Sequence, residues 1–152
     1  MRHPHLGFAA VAATVGLLAA CVGTIPLHER QQAERDRFNA YAGDPIEEFT
    51  WLGRFDSWQP LGRYELAVFT GPSDAYLIKV SPPCDDLQFV NRIGLTSTGS
   101  TVHTRFDAVR TGNWRCPIEE IRRVDYRRLK ADLRLEAQAR KEAPERKADA
   151  AQ

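Results

Sequence analysis

A histidine and an aspartate four residues apart, His103 and Asp107, are the side chains closest in type and spacing to a catalytic acid–base pair. Both fall in Thr101–Val109, where alternating apolar and polar residues predict one β-strand. Because a strand rises about 3.3 Å per residue, these two positions would be roughly 13 Å apart, too far for a hydrogen bond. Arg105 also stands between them on the same face. We therefore predict a polar, solvent-facing strand surface here, and a catalytic pair would require a break in the strand.

The other polar residues that could do chemistry are better explained by structural roles. Asp85 and Asp86 could form a cation site, but two acidic residues at the start of a short predicted helix more often cap it. Ser97 and Ser100 lie outside the context of a nucleophile elbow. The chain contains no glycine-rich phosphate loop. We expect no metal site and no cofactor.

Cys21 follows a segment with the anatomy of an export signal. Arg2 precedes an apolar stretch, Leu6–Ala20, that contains no charged residue. This stretch is shorter than the ~20 residues of a membrane-spanning helix and fits the apolar region of a signal peptide. It leads into Leu18-Ala19-Ala20-Cys21, which resembles a bacterial lipoprotein signal, with the cysteine as the lipid acceptor. The alternative is an ordinary secretory signal that contains a cysteine.

The lipoprotein pattern implies that residues 1–20 are removed and that the mature chain begins at a lipidated Cys21. Several acyl chains anchor a protein stably, whereas a single chain is marginal. Val22 favours the outer membrane, since lipoproteins of this kind that stay in the inner membrane tend to carry Asp at that position. We therefore expect an outer-membrane anchor facing the periplasm, with residues 21–27 as a short tether.

Cys84 and Cys116 form an even pair once Cys21 is assigned to lipid. Because the periplasm is oxidising, a disulfide between them is the default expectation. It would close a loop of about 32 residues, worth roughly 3 to 4 kcal/mol in the chain-entropy model. A metal site or a redox pair remains an alternative, although the spacing is not CxxC and His103 is the only histidine between the two cysteines.

Gly53–Gly62 is the candidate segment for contact with a partner. It places Phe55, Trp58 and Pro60 around Asp56 in a predicted loop. Aromatic side chains on a polar loop suit recognition of a peptide, a glycan or a protein surface. The alternative is that Phe55 and Trp58 close an open end of the sheet as part of the core.

The chain from Arg122 onward is basic, with ten basic and six acidic residues. The charge is concentrated just before and within a predicted helix, at Arg122, Arg123, Arg127 and Arg128. This segment could contact anionic lipid headgroups or another polyanion of the envelope. The alternative is a solvated helix face with salt-bridge pairs.

The candidate site residues must be positioned by a folded domain, which we place at residues 28–137. The polar, alanine-containing sequence of His28–Tyr41 predicts a helix, which Gly43 and Pro45 end. Asp125 caps a second helix whose apolar stripe runs to Ala137. Between the helices, alternating patterns predict strands over 49–55, 64–68, 75–80, 92–96, 101–109 and 114–124, with a turn at 71–74 and a short helix at 85–91.

The predicted fold class is α+β. We expect an antiparallel sheet of about five to six strands, flanked by N- and C-terminal helices, and the strand count also allows closure into a barrel. Residues 138–152 are rich in Ala, Lys, Glu and Arg, and we expect a charged, disordered tail there.

Composition excludes two broad classes of protein. The 152 residues carry a formal net charge of +1, and Arg2 is the only one of the 41 charged residues that precedes Cys21. The remainder is electrically balanced, which argues against a nucleic-acid binder. No second apolar stretch approaches the length of a membrane span, which argues against a multi-pass membrane protein.

Four segments closely resemble a family of small, uncharacterised lipoproteins of Gram-negative bacteria, a domain of unknown function. The resemblance covers roughly residues 38–130 and supports the domain limits and the cysteine pair. It implies no reaction, ligand or partner. The segments are Arg54-Phe55-Asp56-Ser57-Trp58-Gln59-Pro60-Leu61-Gly62, Ile93-Gly94-Leu95-Thr96-Ser97, Arg105-Phe106-Asp107-Ala108-Val109 and Cys116-Pro117-Ile118-Glu119-Glu120-Ile121.

We therefore expect a non-catalytic, lipid-anchored binding or accessory module of the cell envelope. Its expected partners are the membrane, through the N-terminal lipid, and an envelope protein, a glycan or anionic lipid, with no role for nucleic acid. The alternative is an envelope hydrolase or redox protein that uses His103 or the Cys84/Cys116 pair. A cleft holding His103 beside a carboxylate would favour the enzyme, whereas a bonded, buried cysteine pair and a filled core would favour the module.

Overall fold

A computed structural model describes residues 26–84, 87–112 and 114–149, with only the backbone described from residue 143 onward. In this part of the chain, two helices flank a seven-stranded antiparallel sheet that curls into a half-barrel, and a two-stranded sheet accompanies it. The expected α+β class is confirmed. The elements are α1 (Leu27–Ala40), β1 (Ala42–Ile46), β2 (Glu48–Thr50), β3 (Ser57–Gly62), β4 (Glu65–Phe69), β5 (Ala75–Val80), a 3-10 turn (Leu87–Phe89), β6 (Gly94–Leu95), β7 (Thr101–His103), β8 (Ala108–Thr111), β9 (Trp114–Val124) and α2 (Tyr126–Asp149).

The long strand β9 organises the main sheet, whose order is β3-β4-β5-β9-β8-β6. One edge of β9 pairs with β5 from Val124 to Ile118. Its other edge is shared by two shorter strands: β1 pairs with residues 121–124 and β8 with residues 114–117. β2 and β7 form the separate two-stranded sheet.

The centre of the main sheet at β4 is buried on both faces, whereas β9 alternates between buried and exposed residues along much of its length. Leu66 and Val68 join the larger core, which also contains Phe49 and Val102 of the two-stranded sheet. Ala67 and Phe69 point to the other face and join a smaller core that contains Phe38 of α1 and Leu129 of α2. Since successive side chains of a strand alternate between faces, a continuous apolar run is what a strand buried on both sides requires.

The two helices pack antiparallel beside the smaller core. The ring of Phe38 meets that of Phe69 edge to face, with centroids 6.1 Å apart. The Tyr41 hydroxyl donates a hydrogen bond of 2.5 Å to Asp132 of α2, and this bond raises the pKa of Tyr41. Asp125 caps α2 as predicted, because its Oδ1 accepts a hydrogen bond from the Arg128 backbone N–H at 3.1 Å.

Cys84 and Cys116 form a disulfide with a Cα–Cα distance of 5.3 Å. Cys116 lies on β9 and is fully buried, and Cys84 packs against the same core from the loop that follows β5. The bridge therefore ties this loop to the central strand. The expected pairing is confirmed.

Several predicted boundaries are wrong. The first helix ends at Ala40, within one residue of its predicted end, but Gly43 and Pro45 then lie within β1, a strand that was not predicted. The strand predicted over 49–55 ends at Thr50. The segment predicted as a partner loop contains β3, the edge strand beside β4. The helix expected over 85–91 is a single 3-10 turn in its described residues.

α2 corrects the expectation of a disordered tail over 138–152, since its backbone is helical to Asp149. Ala, Glu, Lys, Arg and Gln have the high helix propensities that let an exposed helix continue. The same composition also fits a disordered segment, so composition alone could not separate the two.

Residues 1–25 lie outside the described part, and with them the predicted signal segment, Cys21 and most of the tether. Asp85 and Asp86, predicted to cap a helix, also lie outside it. Of the helices that are described, none is both long and apolar enough to cross a membrane.

Candidate functional site

The predicted strand over 101–109 is broken at its centre. β7 ends at His103, a turn occupies residues 104–106, and β8 begins at Ala108. Arg105 adopts a positive φ of 69° in this turn, a conformation that is strained for a residue other than glycine. The break makes the predicted solvent-facing position of Asp107 wrong, because this residue is buried, with 5% of its surface exposed, while 77% of Phe106 is exposed.

Asp107 is the centre of a hydrogen-bond network rather than part of a solvent-facing surface. Its Oδ2 accepts a hydrogen bond from the His103 backbone N–H at 2.8 Å. Its Oδ1 accepts one from the Thr96 hydroxyl at 2.7 Å, which in turn accepts one from the Ala108 N–H at 2.9 Å. The separation of about 13 Å predicted between His103 and Asp107 is therefore wrong, but the contact fixes the backbone and does not involve the imidazole.

The imidazole of His103 pairs with a different carboxylate. Its Nδ1 lies 2.9 Å from Oε2 of Glu48, and the two residues are directly opposite each other in the β2–β7 ladder. The Glu48 side chain is 59% exposed. A carboxylate that orients a histidine is one component of general acid–base catalysis, so this pair is the arrangement that the enzyme alternative required.

A cleft of about 470 Å³ opens beside the β7–β8 turn. It lies along the edge of β9 that β1 and β8 share, where these two strands leave residues 118–120 between their ends. At this point the register with β5 steps from Ile118 to Glu120, which makes Glu119 the extra residue of a β-bulge. The lining residues are Pro45, Ile46, Glu47, His103, Thr104, Arg105, Phe106, Glu119 and Glu120.

Carboxylates dominate the charge of the cleft. Lys79 of β5 donates a hydrogen bond to Glu119 at 2.9 Å, and this bond raises the pKa of Lys79. Glu120 is half-buried, and within the described residues its side chain makes no hydrogen bond or ion pair, although its charge also contributes to the raised pKa of Lys79. Arg105 is the one arginine or lysine among the lining residues. This arrangement can attract a positively charged group.

The cleft lacks the parts of a nucleophilic active site. Its lining includes no serine or cysteine, and the Thr104 hydroxyl donates to the backbone carbonyl of Glu47 at 3.2 Å. No set of three or more His, Cys, Asp or Glu residues in the described ranges is placed to hold a metal ion. The cleft combines one oriented histidine with three glutamates.

The candidate partner segment is partly built into the core. Phe55 and Trp58 are half-buried and pack against the larger core, and the Phe55 ring stacks on Trp51 at 6.4 Å between centroids. Asp56 is exposed, and its backbone N–H donates to the carbonyl of Phe69 at 2.7 Å. Pro60 lies on β3, and an edge strand is where a sheet tolerates proline. These contacts favour the structural interpretation of the two aromatic residues.

Four of the ten basic residues from Arg122 onward have partners within the domain. Arg122 donates to the side chain of Asn39 at 2.7 Å and to the backbone carbonyls of Gly43 at 2.8 Å and Ala42 at 3.1 Å, so it fastens β1 to α1. Other basic side chains also have partners: Arg123 pairs with Asp74, Arg128 lies over the Tyr41 ring, and Lys130 donates to the Pro72 carbonyl. Internal contacts thus account for part of the charge.

Glu48 and Glu120 are the site residues that sequence reasoning missed. Glu48 meets His103 from a strand 55 positions earlier, and no local pattern reports such a pairing. The doubled acid at Glu119 and Glu120 interrupts the alternation of β9 after Ile118. That interruption was a usable sign of the bulge.

A family described as a family of unknown function, DUF6491, matches residues 4–142. The chain belongs to the DUF6491 family. The DUF6491 match includes both the cleft and the disulfide, and it confirms the expectation of an uncharacterised domain. No curated protein and no solved structure matches the chain.

Proposed function

We propose that this DUF6491 protein is a non-catalytic, lipid-anchored binding or accessory module of the Gram-negative cell envelope. It is held at the outer membrane through Cys21 and faces the periplasm. The observation that carries the proposal is the disulfide between Cys84 and Cys116. Structural disulfides persist in oxidising compartments and are rare in the cytosol.

The disulfide also sharpens the assignment of Cys21. The chain contains three cysteines, and the bridge accounts for two of them. The third stands directly after an uncharged apolar stretch that ends in Leu-Ala-Ala, the position of the lipid acceptor in bacterial lipoprotein signals. Export of the chain would account for both the disulfide and the lipid on Cys21.

The bonded cysteine pair and the residues that line the cleft support a role without catalysis. Cys116 is fully buried and bonded, so a thiolate is not available at the surface. A hydrolase is the second candidate, and the His103–Glu48 pair at the cleft favours it. In that case His103 would activate water as a general base, but the cleft provides no nucleophile for a covalent route.

Replacing the lipid acceptor tests the anchor directly. In a Gram-negative host fed labelled palmitate, the wild-type protein should be labelled and should fractionate with the outer membrane. Cys21→Ser should lose the label completely and accumulate as precursor or soluble protein, because serine provides no thiol for the lipid. The matched control is the double variant Cys84→Ala/Cys116→Ala, which should keep its label. Label that persists on Cys21→Ser would contradict the proposal.

A further inference from the structure

The cleft beside the β7–β8 turn has the composition of a site for an amphipathic cation. Pro45 and Ile46 provide an apolar wall, and the ring of Phe106 stands exposed beside them. Glu47 and Glu120 provide carboxylates on the same cleft. A lysine or arginine side chain has the matching parts, an apolar stem and a charged head.

The carboxylates are placed to act on such a head. Glu119 forms an ion pair with Lys79, whereas Glu47 and Glu120 form none among the described residues, although Glu120 also attracts Lys79 at longer range. Glu120 is half-buried, and electrostatic attraction strengthens as solvent is excluded. The exposed Phe106 ring adds a face on which a cation is favourable. Arg105, the one arginine or lysine in the lining, would repel a bound cation and so weaken this attraction.

The position of the cleft is built into the fold. β8 pairs with β9 as far as Pro117 and β1 pairs from Ile121 onward, so residues 118–120 on this edge of β9 lie outside both strand pairings. Ile118 exchanges backbone hydrogen bonds with Arg105 and Asp107 instead, and the bulge at Glu119 lies in the pairing with β5 on the opposite edge. β-Bulges are over-represented beside functional sites, where they change the direction of a side chain. The turn that closes the other side contains the strained Arg105 and is held by the Asp107 network.

We infer that this cleft binds a lysine or arginine side chain presented by a basic segment of a partner protein. The inference names the partner class of the proposed binding module and rests on that proposal. The carboxylates repel anionic headgroups, which excludes the membrane surface as the occupant. The described residues offer no cluster for a metal ion, which favours an organic cation. A volume of about 470 Å³ lies within the usual range of ligand pockets, about 300–1,000 Å³.

Calorimetric titration of the purified full chain with a capped tetralysine peptide tests the inference. The wild-type protein should bind this peptide, and binding should weaken at high salt because it depends on charge. The matched probe is the same peptide with every lysine acetylated, which keeps the stem and removes the charge. We expect no measurable binding of that probe. Equal binding of both peptides, or binding of neither, would overturn the inference.

Substitutions in the cleft locate the binding. Glu120→Gln should weaken tetralysine binding about tenfold, since it removes a partly buried charged partner. The control Glu29→Gln makes the same change on an exposed residue of α1 and should leave binding unchanged. Glu47→Gln and Phe106→Leu change exposed residues, so we expect both variants to fold. Each should weaken binding severalfold. Equal affinities in the four variants would place binding elsewhere and refute the inference.

A competition experiment separates a protein partner from a small free cation. Spermidine should displace tetralysine only at much higher concentration, because it lacks the side-chain geometry. Spermidine that binds as tightly as the peptide would make a free polyamine the occupant and overturn the assignment to a protein segment. Palmitate labelling of Cys21 is independent of the cleft, so failure of peptide binding with labelling intact would remove this inference alone.

Discussion

Replacing Cys84 and Cys116 together by alanine is expected to lower the free energy of unfolding by about 3 to 4 kcal/mol. The bridge closes a loop with a sequence separation of 32 residues, and its loss releases the entropy of that loop in the unfolded chain. Alanine is the suitable replacement at Cys116, because serine would place an extra hydroxyl in a fully buried position. The melting temperature should fall by roughly 10 °C or more.

Denaturant and thermal unfolding, each with and without reductant, measure this effect. Reductant should destabilise the wild-type protein and Cys21→Ser equally, because both keep the bridge. It should leave the double alanine variant unchanged. If reductant shifts no midpoint in the wild-type protein, the bridge does not stabilise the domain.

Asp107→Ala is expected to destabilise the domain by about 3 kcal/mol. The carboxylate accepts hydrogen bonds from the His103 N–H and the Thr96 hydroxyl at a site with 5% exposure. Removing it leaves two donors without their acceptor in a poorly hydrated place, which costs more than the loss of the bonds alone. The β7–β8 turn should loosen as well, so tetralysine binding in the cleft should weaken in the same variant.

Asp107→Asn is the matched control for this prediction. An asparagine side chain keeps the shape and one acceptor oxygen but presents an amide where the second donor points. The loss of stability in Asp107→Asn should therefore be clearly smaller than in Asp107→Ala. Denaturant midpoints of the two variants that both equal the wild-type value would show that the network does not hold the turn.

The sequence was most informative where structure follows from local pattern. The alternation of Tyr64–Val68 and Ala75–Val80 around the turn at 71–74 predicted the β4–β5 hairpin, and the observed register joins Glu65 to Lys79 and Phe69 to Ala75. The even cysteine pair predicted the disulfide from chemistry alone. In both cases the determining residues lie close in sequence or have a single available partner.

The strand β1 was not predicted. β1 contains Gly43 and Pro45, which local propensity assigns to a helix end, and it exists because β9 provides the partner strand. For β1, tertiary hydrogen bonds override the local preference. β3 is a different case, because only two residues separate it from β4 and the pairing is local; it was missed because the segment was interpreted as a loop.

The geometry of the candidate site also depends on contacts that local sequence patterns do not show. One strand over 101–109 was predicted, and the break at residues 104–106 became visible only with Asp107 bonded to the His103 backbone. The same break exposes Phe106 and shapes the cleft. The pairing of His103 with Glu48 needs two strands that are far apart in sequence, so the sequence predicted the residue but not its partner.

Intact-mass spectrometry of the protein purified from the membranes of a Gram-negative host tests the central claim most directly. Alkylation of free thiols without reduction precedes the measurement, so that lipidation and the disulfide are read from one spectrum. We expect a chain that begins at Cys21, carries acyl chains on that residue and has no alkylated cysteine. A chain that retains residues 1–20, an unlipidated Cys21 or alkylated Cys84 and Cys116 would contradict a lipid-anchored, disulfide-bridged envelope protein.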